Sequence, residues 1–249
     1  MISAPATVAA LIIYKLVSSK ATNMKLGVLF SGGKDSTFAL HIAAEKEEVS
    51  CLITLVSRNE ESYMFHTPNI GITTLQAEAM KIPILQRETE GRPEHELTDL
   101  KEAIAQAVKD YGIEGVVSGA IESVYQSERI QRICSQLDVW CFNPLWKRNQ
   151  EEYLEEVIAR GYEVVLSGVF AYPLDGTWLG KRLDRDLISK LLLLEKRFGV
   201  SPSGEGGEIE TTVLDAPLFK QRIEIQESAV EARGNSGVLR IRRARLIAK

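Results

Sequence analysis

Lys25-Leu-Gly-Val-Leu-Phe-Ser-Gly-Gly-Lys-Asp-Ser-Thr37 is the stretch that decides the fold of this 249-residue chain. Its apolar run, residues 26–30, predicts a short buried strand, and Ser31-Gly-Gly33 predicts a turn. From Asp35 onward, apolar residues recur at helical spacing. A glycine turn between a strand and a helix directs backbone N–H groups into a concavity at the positive end of the helix dipole. The stretch therefore predicts an anion-binding turn of phosphate or pyrophosphate size.

The spacing within this turn distinguishes it from two common phosphate-binding motifs. It matches neither the G-x-x-x-x-G-K-[ST] motif nor the dinucleotide motif G-x-G-x-x-G. Ser31-Gly-Gly-Lys-Asp-Ser36 instead resembles the PP-loop of the ATP pyrophosphatases. That resemblance implies that the turn holds the β,γ-pyrophosphate of ATP while the α-phosphorus is attacked. The alternative is an ordinary glycine-rich turn that leads from a strand into a helix.

The composition is typical of a globular protein, with 45% hydrophobic and 26% charged residues. A net charge of −4 gives no global electrostatic case for stable nucleic-acid binding. Cys51, Cys134 and Cys141 lie far apart, which argues against a disulfide framework or zinc site and favours a reducing cytoplasm. The apolar run at residues 8–14 is too short to span a bilayer, so no membrane association is expected. We expect residues 1–23 to be an extension outside the fold.

Strands and helices alternate along residues 24–143. Further strands are predicted at residues 49–57, 82–86, 115–119 and 139–142, and helices at residues 70–81, 96–111 and 124–137. This alternation indicates a parallel sheet, whose ligands bind beyond the carboxyl ends of the strands. We therefore expect the turn at 31–37, the loop at 58–68 and Ser118-Gly119 to converge on one site.

Asn143-Pro-Leu-Trp146 interrupts this alternation, and we place a domain boundary there, between residues 24–143 and residues 144–249. In the second part, helices are predicted at residues 151–160 and 183–198, and strands at residues 162–171, 219–227 and 237–247. A phase slip at Arg242-Arg243 predicts a bulge in the last strand. The second part is thus expected to be a small α+β domain.

Several segments together resemble one branch of the PP-loop family, the diphthine–ammonia ligases, also called diphthamide synthases. The segments are residues 31–36, 60–68, 118–126 with Arg129, 144–146, 175–180, and 204–212 with 215–219. The resemblance extends from about Met24 to the C-terminus, and the 118–129 and 204–212 runs are what point to this branch. It implies an α/β domain of the HUP type (adenine nucleotide alpha hydrolase-like) with a parallel sheet, followed by a smaller C-terminal α+β domain.

The resemblance also implies an enzyme, an AMP-forming carbon–nitrogen ligase of the cytoplasm. Its reaction converts the carboxylate of diphthine, a modified histidine of translation elongation factor 2, to an amide. ATP and ammonium are consumed, and AMP and pyrophosphate are released. One alternative is another PP-loop adenylating enzyme, such as a tRNA-modifying enzyme that would use the basic cluster from Arg240 to Arg245. Another is a nucleotide-binding module without catalysis. The oligomeric state stays open, with a homodimer as one alternative.

Within this chemistry, the turn residues have to bind the departing pyrophosphate and spread its charge. The backbone and hydroxyl donors that can do so belong to Ser31, Gly32, Gly33, Ser36 and Thr37. Lys34 can add positive charge. Asp35 can hold Mg²⁺, which typically bridges phosphates together with one or two carboxylates. A plain helix cap is the alternative role of Asp35.

The other nucleotide and substrate contacts are assigned to loops and helix starts. Ser118 and Gly119 are expected at the nucleotide, and Tyr125 and Gln126 at the substrate. Arg129 shares a helix face with Tyr125 and can contact a phosphate or the substrate carboxylate, unless it only pairs with a nearby glutamate. His66 lies in the loop where the adenine pocket is expected, although a lone loop histidine is often incidental.

The acidic, glycine-rich run at residues 201–210 is the second candidate site. Glu205, Glu208 and Glu210 can orient ammonium, hold metal or face the trimethylammonium group of diphthine, with a solvated acidic loop as the alternative. The neighbouring residues expected to touch substrate are Gly206, Gly207 and Thr211. An aromatic face for the quaternary cation is predicted from Trp146, Tyr172 and Trp178, although aromatic residues also serve as core. No Cys–His pair for glutamine hydrolysis is apparent, so free ammonium is the predicted nitrogen donor.

Overall fold

The structure is a computed structural model that describes residues 23–59, 68–92 and 95–249. The predicted extension, His66 and most of the loop after the second strand lie outside these ranges. The described residues form two compact units. The first contains residues 23–31, 38–59, 82–92 and 95–146, and the second contains residues 32–37, 68–81 and 147–249. The predicted boundary at residue 143 stays a prediction, since the turn itself groups with the second unit.

A parallel five-stranded sheet forms the first unit, as the alternation of strands and helices predicts. Its order is β3-β2-β1-β4-β5, and the strands are β1 (Lys25–Leu29), β2 (Glu48–Ser57), β3 (Ile84–Thr89), β4 (Gly115–Val117) and β5 (Trp140–Phe142). Val28 of the central strand β1 pairs with Leu52 on one side and Val117 on the other. Because all the strands run in one direction, their carboxyl ends lie along one edge of the sheet.

Two helices of this unit cover one face of the sheet. They are α3 (His95–Tyr111) and α4 (Val124–Gln136), and they are preceded along the chain by α1 (Lys34–Ala44) and α2 (Thr73–Met80). The apolar residues of α3 recur every three or four positions, so that Leu100, Ile104 and Ala107 all face inward. They pack with Ile133 of α4 against sheet residues such as Ile53. This buried layer is the core that fixes the sheet.

An antiparallel four-stranded sheet and two helices make up most of the second unit. The sheet order is β7-β6-β9-β8, with β6 (Glu163–Val169), β7 (Ile209–Asp215), β8 (Gln221–Arg233) and β9 (Ser236–Ala248). The helices are α5 (Gln150–Ala159) and α6 (Arg185–Phe198). The side chains of Asn149 and Asp184 accept hydrogen bonds at the two helix starts, and Gly199 ends α6 in the left-handed region. The predicted C-terminal α+β unit is therefore confirmed.

Four elements differ clearly from the prediction. β7 was not predicted, because its polar Glu-Thr-Thr start follows a glycine-rich run that is typical of a loop. The helix predicted at residues 70–81 is divided: Ile70–Ile72 form a short 3₁₀ turn, and α2 begins only at Thr73. β8 and β9 are longer than predicted, although the register shift opposite Arg243 confirms the predicted bulge. Within the described ranges, no helix has the length and apolar content that crossing a bilayer requires.

The core of the first unit can be tested at Ile104, which is fully buried on α3. Ile104→Ala should lower the free energy of unfolding by about 2–5 kcal/mol, since it removes packed methylene groups and leaves a cavity. Leu193→Ala, on the exposed face of α6, should change it by about 0.5 kcal/mol or less. Urea denaturation measures both. Equal effects at the two positions would contradict this assignment of the core.

Candidate functional site

The glycine turn begins immediately after β1 and leads into α1, as its sequence predicts. Gly32 has φ +79°, a left-handed conformation that glycine adopts without strain. The carbonyl of Gly33 accepts hydrogen bonds from the Thr37 amide at 3.1 Å and from the Ser36 and Thr37 hydroxyls at 3.2 and 2.8 Å. These two hydroxyls therefore brace the first turn of α1. Their role as pyrophosphate donors stays a prediction.

β7 holds the start of the turn through its backbone. The Gly32 carbonyl accepts from the Val213 amide at 3.0 Å and from the Gln76 side-chain nitrogen at 2.9 Å. The same nitrogen of Gln76 donates to the Val213 carbonyl at 2.8 Å. Two residues further along the turn, the Lys34 amide donates to the hydroxyl of Thr211 at 3.1 Å. The turn is thus fastened to β7 at two points, and Thr211 contacts the turn.

Lys34 is buried, with a relative exposure of 2%. Its ammonium group donates to the Asp35 carboxylate at 3.0 Å and to the Ser203 carbonyl at 2.5 Å. A buried ammonium group needs such partners, because transfer from water is costly for an unpaired charge. Lys34 therefore connects the turn to the acidic, glycine-rich run. Its predicted contribution to the charge around pyrophosphate stays a prediction.

Asp35 is held by a residue that the sequence analysis did not single out. The hydroxyl of Tyr153, on α5, donates to one Asp35 oxygen at 2.8 Å, and Lys34 donates to the other oxygen. Burial, followed by the charge of Asp35, holds the pKa of Tyr153 well above its usual range, so the hydroxyl keeps its proton and stays a donor. Asp35 is the second residue of α1, and these two contacts account for its carboxylate better than a helix cap does.

The acidic run is organised by hydrogen bonds within itself. Glu208 accepts from the backbone amides of Ser201 at 3.1 Å and Gly206 at 2.9 Å. The side-chain oxygen of Gln150 accepts from the Ser203 amide at 3.1 Å and from the hydroxyls of both serines. The loop is thus held by both carboxylate oxygens of Glu208 and by the side-chain oxygen of Gln150. Gly206 and Gly207 are exposed in it, and the catalytic role predicted for Glu208 stays a prediction.

Glu210, near the start of β7, is a carboxylate of this run whose pKa is raised. Burial raises its pKa to about 7; Lys34 opposes the rise, and the negative charges of Asp35 and Glu205 add to it. The structure thus brings Lys34, Asp35, Glu205 and Glu210 close enough to influence one another electrostatically. The sequence analysis gave Glu210 the same possible roles as Glu205 and Glu208, and these stay predictions.

Ser118 and Gly119 lie at the carboxyl end of β4, as predicted. The Ser118 amide donates to the Phe142 carbonyl at 2.9 Å, and its hydroxyl accepts from the Ala120 amide at 3.2 Å. Because β4 is the parallel neighbour of β1, Ser118 and Ser31 follow adjacent strands at the same edge of the sheet. Their contact with a nucleotide stays a prediction, as does that of His66, which lies outside the described residues.

Arg129 lies on the face of α4 that it shares with Tyr125. Its guanidinium carbon is 3.3 Å from the centroid of the Tyr125 ring, and one of its nitrogens donates to the Tyr125 carbonyl at 3.2 Å. Ser123 caps this helix by accepting from the Gln126 amide at 3.4 Å. The helix start is therefore ordered, and the predicted contacts of Tyr125, Gln126 and Arg129 with substrate stay predictions.

The predicted aromatic residues have separate partners. Tyr172 packs edge-on against Phe198, with ring centroids 5.4 Å apart, and the Trp178 ring carries the ammonium of Lys181 at 5.0 Å. Trp146 belongs to the first unit, where its amide donates to Asn143 at 3.1 Å. Trp178 thus already binds a cation from its own chain. An aromatic face for a quaternary ammonium group stays a prediction.

The parallel sheet with strand order 3-2-1-4-5 and the glycine turn after its central strand define an α/β nucleotide-binding protein of the HUP class with a PP-loop. Comparison with protein families gives a narrower assignment. The family model described as the diphthamide synthase N-terminal domain matches residues 24–140, and that of the diphthamide synthase C-terminal domain matches residues 149–247. The chain therefore belongs to the diphthamide synthase family.

Curated relatives agree with this family. The chain is similar to the diphthine–ammonia ligase of Rattus norvegicus, with 37% identity over 82% of the chain and 84% of the relative. It is 35% identical to the diphthine–ammonia ligase of Homo sapiens, over 83% of the chain and 85% of that protein. A solved structure described as a predicted subunit of tRNA methyltransferase from Methanocaldococcus jannaschii matches 78% of the chain and 98% of its own, with 16% identity and a TM-score of 0.40. The last similarity is too low to support an argument about this chain.

Removing the Tyr153 hydroxyl tests the contact with Asp35. Tyr153→Phe keeps the shape of a fully buried side chain but leaves one Asp35 oxygen without its donor, so the free energy of unfolding should fall by about 1 kcal/mol. Urea denaturation measures this change. Tyr172→Phe removes a hydroxyl from an exposed side chain and serves as the control, with an expected change of about 0.5 kcal/mol or less. An unchanged stability of Tyr153→Phe would contradict the hydrogen bond.

The raised pKa of Glu210 predicts a pH-dependent effect on stability. Between its ordinary pKa of 4.5 and about 7, the folded protein holds a proton that the unfolded chain has released. Glu210 therefore stabilises the fold below this window, and its contribution is lost as the pH rises through about 7. Glu210→Gln should be more stable than the wild type by about 1–2 kcal/mol at pH 8, with the difference shrinking toward pH 5. Denaturation across this range checks it, and a difference independent of pH would contradict the assignment.

Proposed function

We propose that this chain is a diphthine–ammonia ligase of the cytoplasm. It amidates the carboxylate of diphthine on translation elongation factor 2 through an acyl-adenylate, consuming ATP and ammonium and releasing AMP and pyrophosphate. The observation that carries the proposal is the hydrogen bonding of Lys34, in the PP-loop, to Asp35, Ser203 and Thr211. These bonds join the loop for pyrophosphate to the acidic run that resembles the diphthamide synthases. Membership of that family adds its support.

The reaction needs activation because a free carboxylate resists attack by ammonia. Its charge repels electron-rich nucleophiles, and an oxide ion is a poor leaving group. In the proposed first step, a carboxylate oxygen attacks the α-phosphorus of ATP, and the bond to pyrophosphate breaks. In the second step, ammonia attacks the acyl carbon, and AMP departs with the former carboxylate oxygen. The turn from Ser31 to Thr37 binds the departing pyrophosphate through its donors, which stabilises developing negative charge.

Mg²⁺ fits the donors that the structure offers, and Asp35 would be its main protein ligand. Over the described part of the chain, no group of three or more His, Cys, Asp and Glu side chains is arranged to hold a metal. Mg²⁺ commonly binds one or two carboxylates and completes its shell with phosphate oxygens and water. The Asp35 side chain is 29% exposed and is oriented by Tyr153 and Lys34, which suits this role. Bound Mg²⁺ would neutralise phosphate charge.

The cysteines support free ammonium as the nitrogen donor. Glutamine-dependent enzymes use a thiolate nucleophile, and a thiol with a raised pKa is a poor source of thiolate. Burial raises the pKa of Cys51 to about 12. A hydrogen bond with Cys141, and then burial, raises the pKa of Cys134 even further. Cys141 is buried as well. These thiols pack in the core, which leaves ammonium as the donor that the proposal uses.

The basic cluster gives little support to the alternative of a tRNA-modifying enzyme. Its four arginines lie on β9, and each is within ion-pair distance of a glutamate on β8. The pairs are Arg240 with Glu231 at 3.2 Å, Arg245 with Glu224 at 2.7 Å, and Arg242 and Arg243 with Glu227 at 3.9 Å. Nucleic-acid binding depends on positive charge that is available to phosphates. These partners reduce that charge along the ribbon.

A reconstituted assay tests the proposal. It contains purified protein, Mg²⁺, ATP, ammonium and elongation factor 2 carrying diphthine labelled with ¹⁸O in its carboxylate. We expect AMP and pyrophosphate only when factor and ammonium are both present, with one ¹⁸O atom in the AMP phosphate. Asp35→Ala should lower the rate by on the order of a hundredfold or more, because it removes a charged group from the site of adenylyl transfer. Asp110→Ala, at the exposed end of α3, is the matched control and should keep the full rate.

The same assay separates the alternatives. ADP as the product, or AMP without ¹⁸O, would contradict an acyl-adenylate. Activity with glutamine in the absence of ammonium would contradict the nitrogen donor. AMP release that depends on tRNA, with salt-sensitive binding, would favour the tRNA-modifying enzyme. Nucleotide binding without turnover under every condition would favour a module without catalysis.

A further inference from the structure

The peptide bond between Gly32 and Gly33 has an orientation that matters for anion binding. A trans peptide is planar, so the Gly32 carbonyl and the Gly33 N–H point in opposite directions. Two donors hold the carbonyl, the Val213 amide at 3.0 Å and the Gln76 side chain at 2.9 Å. With the carbonyl fixed toward β7 and α2, the Gly33 N–H is directed to the opposite side of the turn. A flipped peptide would present a carbonyl oxygen there instead.

Gln76 is fully buried, and both of its amide protons are used. They go to the carbonyls of Gly32 and Val213, at 2.9 and 2.8 Å. Its side-chain oxygen has no hydrogen-bond partner among the described residues. A Cβ on Gly32 would come within 2.3 Å of that oxygen, so the side chain lies directly against the turn. A buried amide oxygen without a partner is costly. Apolar side chains could fill this space, but they could not hold the carbonyl.

The helix that carries Gln76 is fixed at both ends within the second unit. Before α2, the Asn69 side chain donates to the Leu239 carbonyl at 2.8 Å and accepts from the Ile241 amide at 2.7 Å. Near its end, the Ala79 carbonyl accepts from the Lys220 amide at 2.7 Å. Gln76 therefore has little freedom to follow the turn if the turn changes conformation. Its side chain can therefore hold the peptide between Gly32 and Gly33 in one orientation.

We propose that Gln76 is a positioning residue for the PP-loop, which keeps the Gly32 carbonyl away from the bound pyrophosphate and the Gly33 N–H directed toward it. The inference rests on the proposed function, because it assigns the anion in the turn as the pyrophosphate group of ATP. The effect of Gln76 on ligand binding should be specific to the pyrophosphate group. The N–H to phosphate hydrogen bond is charge-assisted, so its loss should weaken pyrophosphate binding by about 10- to 100-fold. Binding of AMP, which lacks the β- and γ-phosphates, should change little.

Calorimetric titration of the full-length protein with pyrophosphate and, separately, with AMP, both in the presence of Mg²⁺, tests this inference. Gln76→Met keeps the length of the side chain and removes both donors. We expect a pyrophosphate Kd raised by about 10- to 100-fold and an AMP Kd within about twofold of the wild type. In the amidation assay, the KM for ATP should rise more than kcat falls. Gln106→Met makes the same substitution at an exposed position of α3 and should leave both Kd values unchanged.

The outcomes distinguish this inference from the proposed function. If the wild type binds pyrophosphate and Gln76→Met binds it equally well, the inference fails while the proposed function stands. Equal losses for pyrophosphate and AMP would show a general structural role and would also overturn it. If the wild type binds neither pyrophosphate nor ATP, the proposed function fails.

Two further measurements remain decisive if Gln76→Met does not fold. Gln76→Leu is smaller, uncharged and without donors, so the same selective loss is expected; pyrophosphate affinity equal to that of the wild type would overturn the inference. Amide NMR of the wild type needs no variant. Pyrophosphate should shift the Gly33 amide resonance more than AMP does, and equal shifts or none would overturn the inference.

Discussion

The buried ammonium group of Lys34 is the constraint on which the candidate site depends. A cation taken out of water is tolerated only if its partners are correctly placed, and removing one of them leaves the charge uncompensated. The ammonium group donates to Asp35, the next residue in the sequence, and to the Ser203 carbonyl, 169 residues away, and the backbone amide of Lys34 donates to Thr211, 177 residues away. The turn and the acidic run must therefore be formed together in the second unit. Residues that share one buried charge in this way are expected to be strongly coupled.

The charges around Lys34 are unequal in number. Burial is the largest cause of the raised pKa of Glu210; the negative charges of Asp35 and Glu205 add to the rise, and Lys34 opposes it. A phosphate group would add further negative charge to this arrangement. In the proposed reaction, a divalent cation and the ammonium substrate supply positive charge. The excess of carboxylates thus favours both of these ligands, whereas it would oppose the binding of a metal-free polyphosphate.

Local signals in the sequence account for what could be predicted. The strand, glycine turn and helix of residues 25–44 each have short-range patterns, and the inward-facing residues of α3 recur at helical spacing. β7 lacked such a pattern, because its identity as a strand depends on pairing with β6. Tyr153 and Gln76 look like ordinary helix residues in the sequence. Their importance comes from hydrogen bonds to residues 118 and 44 positions away, which no local pattern contains.

The register of β7 connects these contacts to the geometry of the turn. Val213 bonds to Gly32 and Thr211 bonds to Lys34, so two steps along the strand match two steps along the turn. Alternate residues of a strand face the same side, and a slip of one position would turn both contacts away. Such a slip would also move Glu210, whose carboxylate interacts electrostatically with Lys34. The position of one strand therefore sets, at the same time, the direction of the Gly32 carbonyl and the placement of a carboxylate that interacts with the buried lysine.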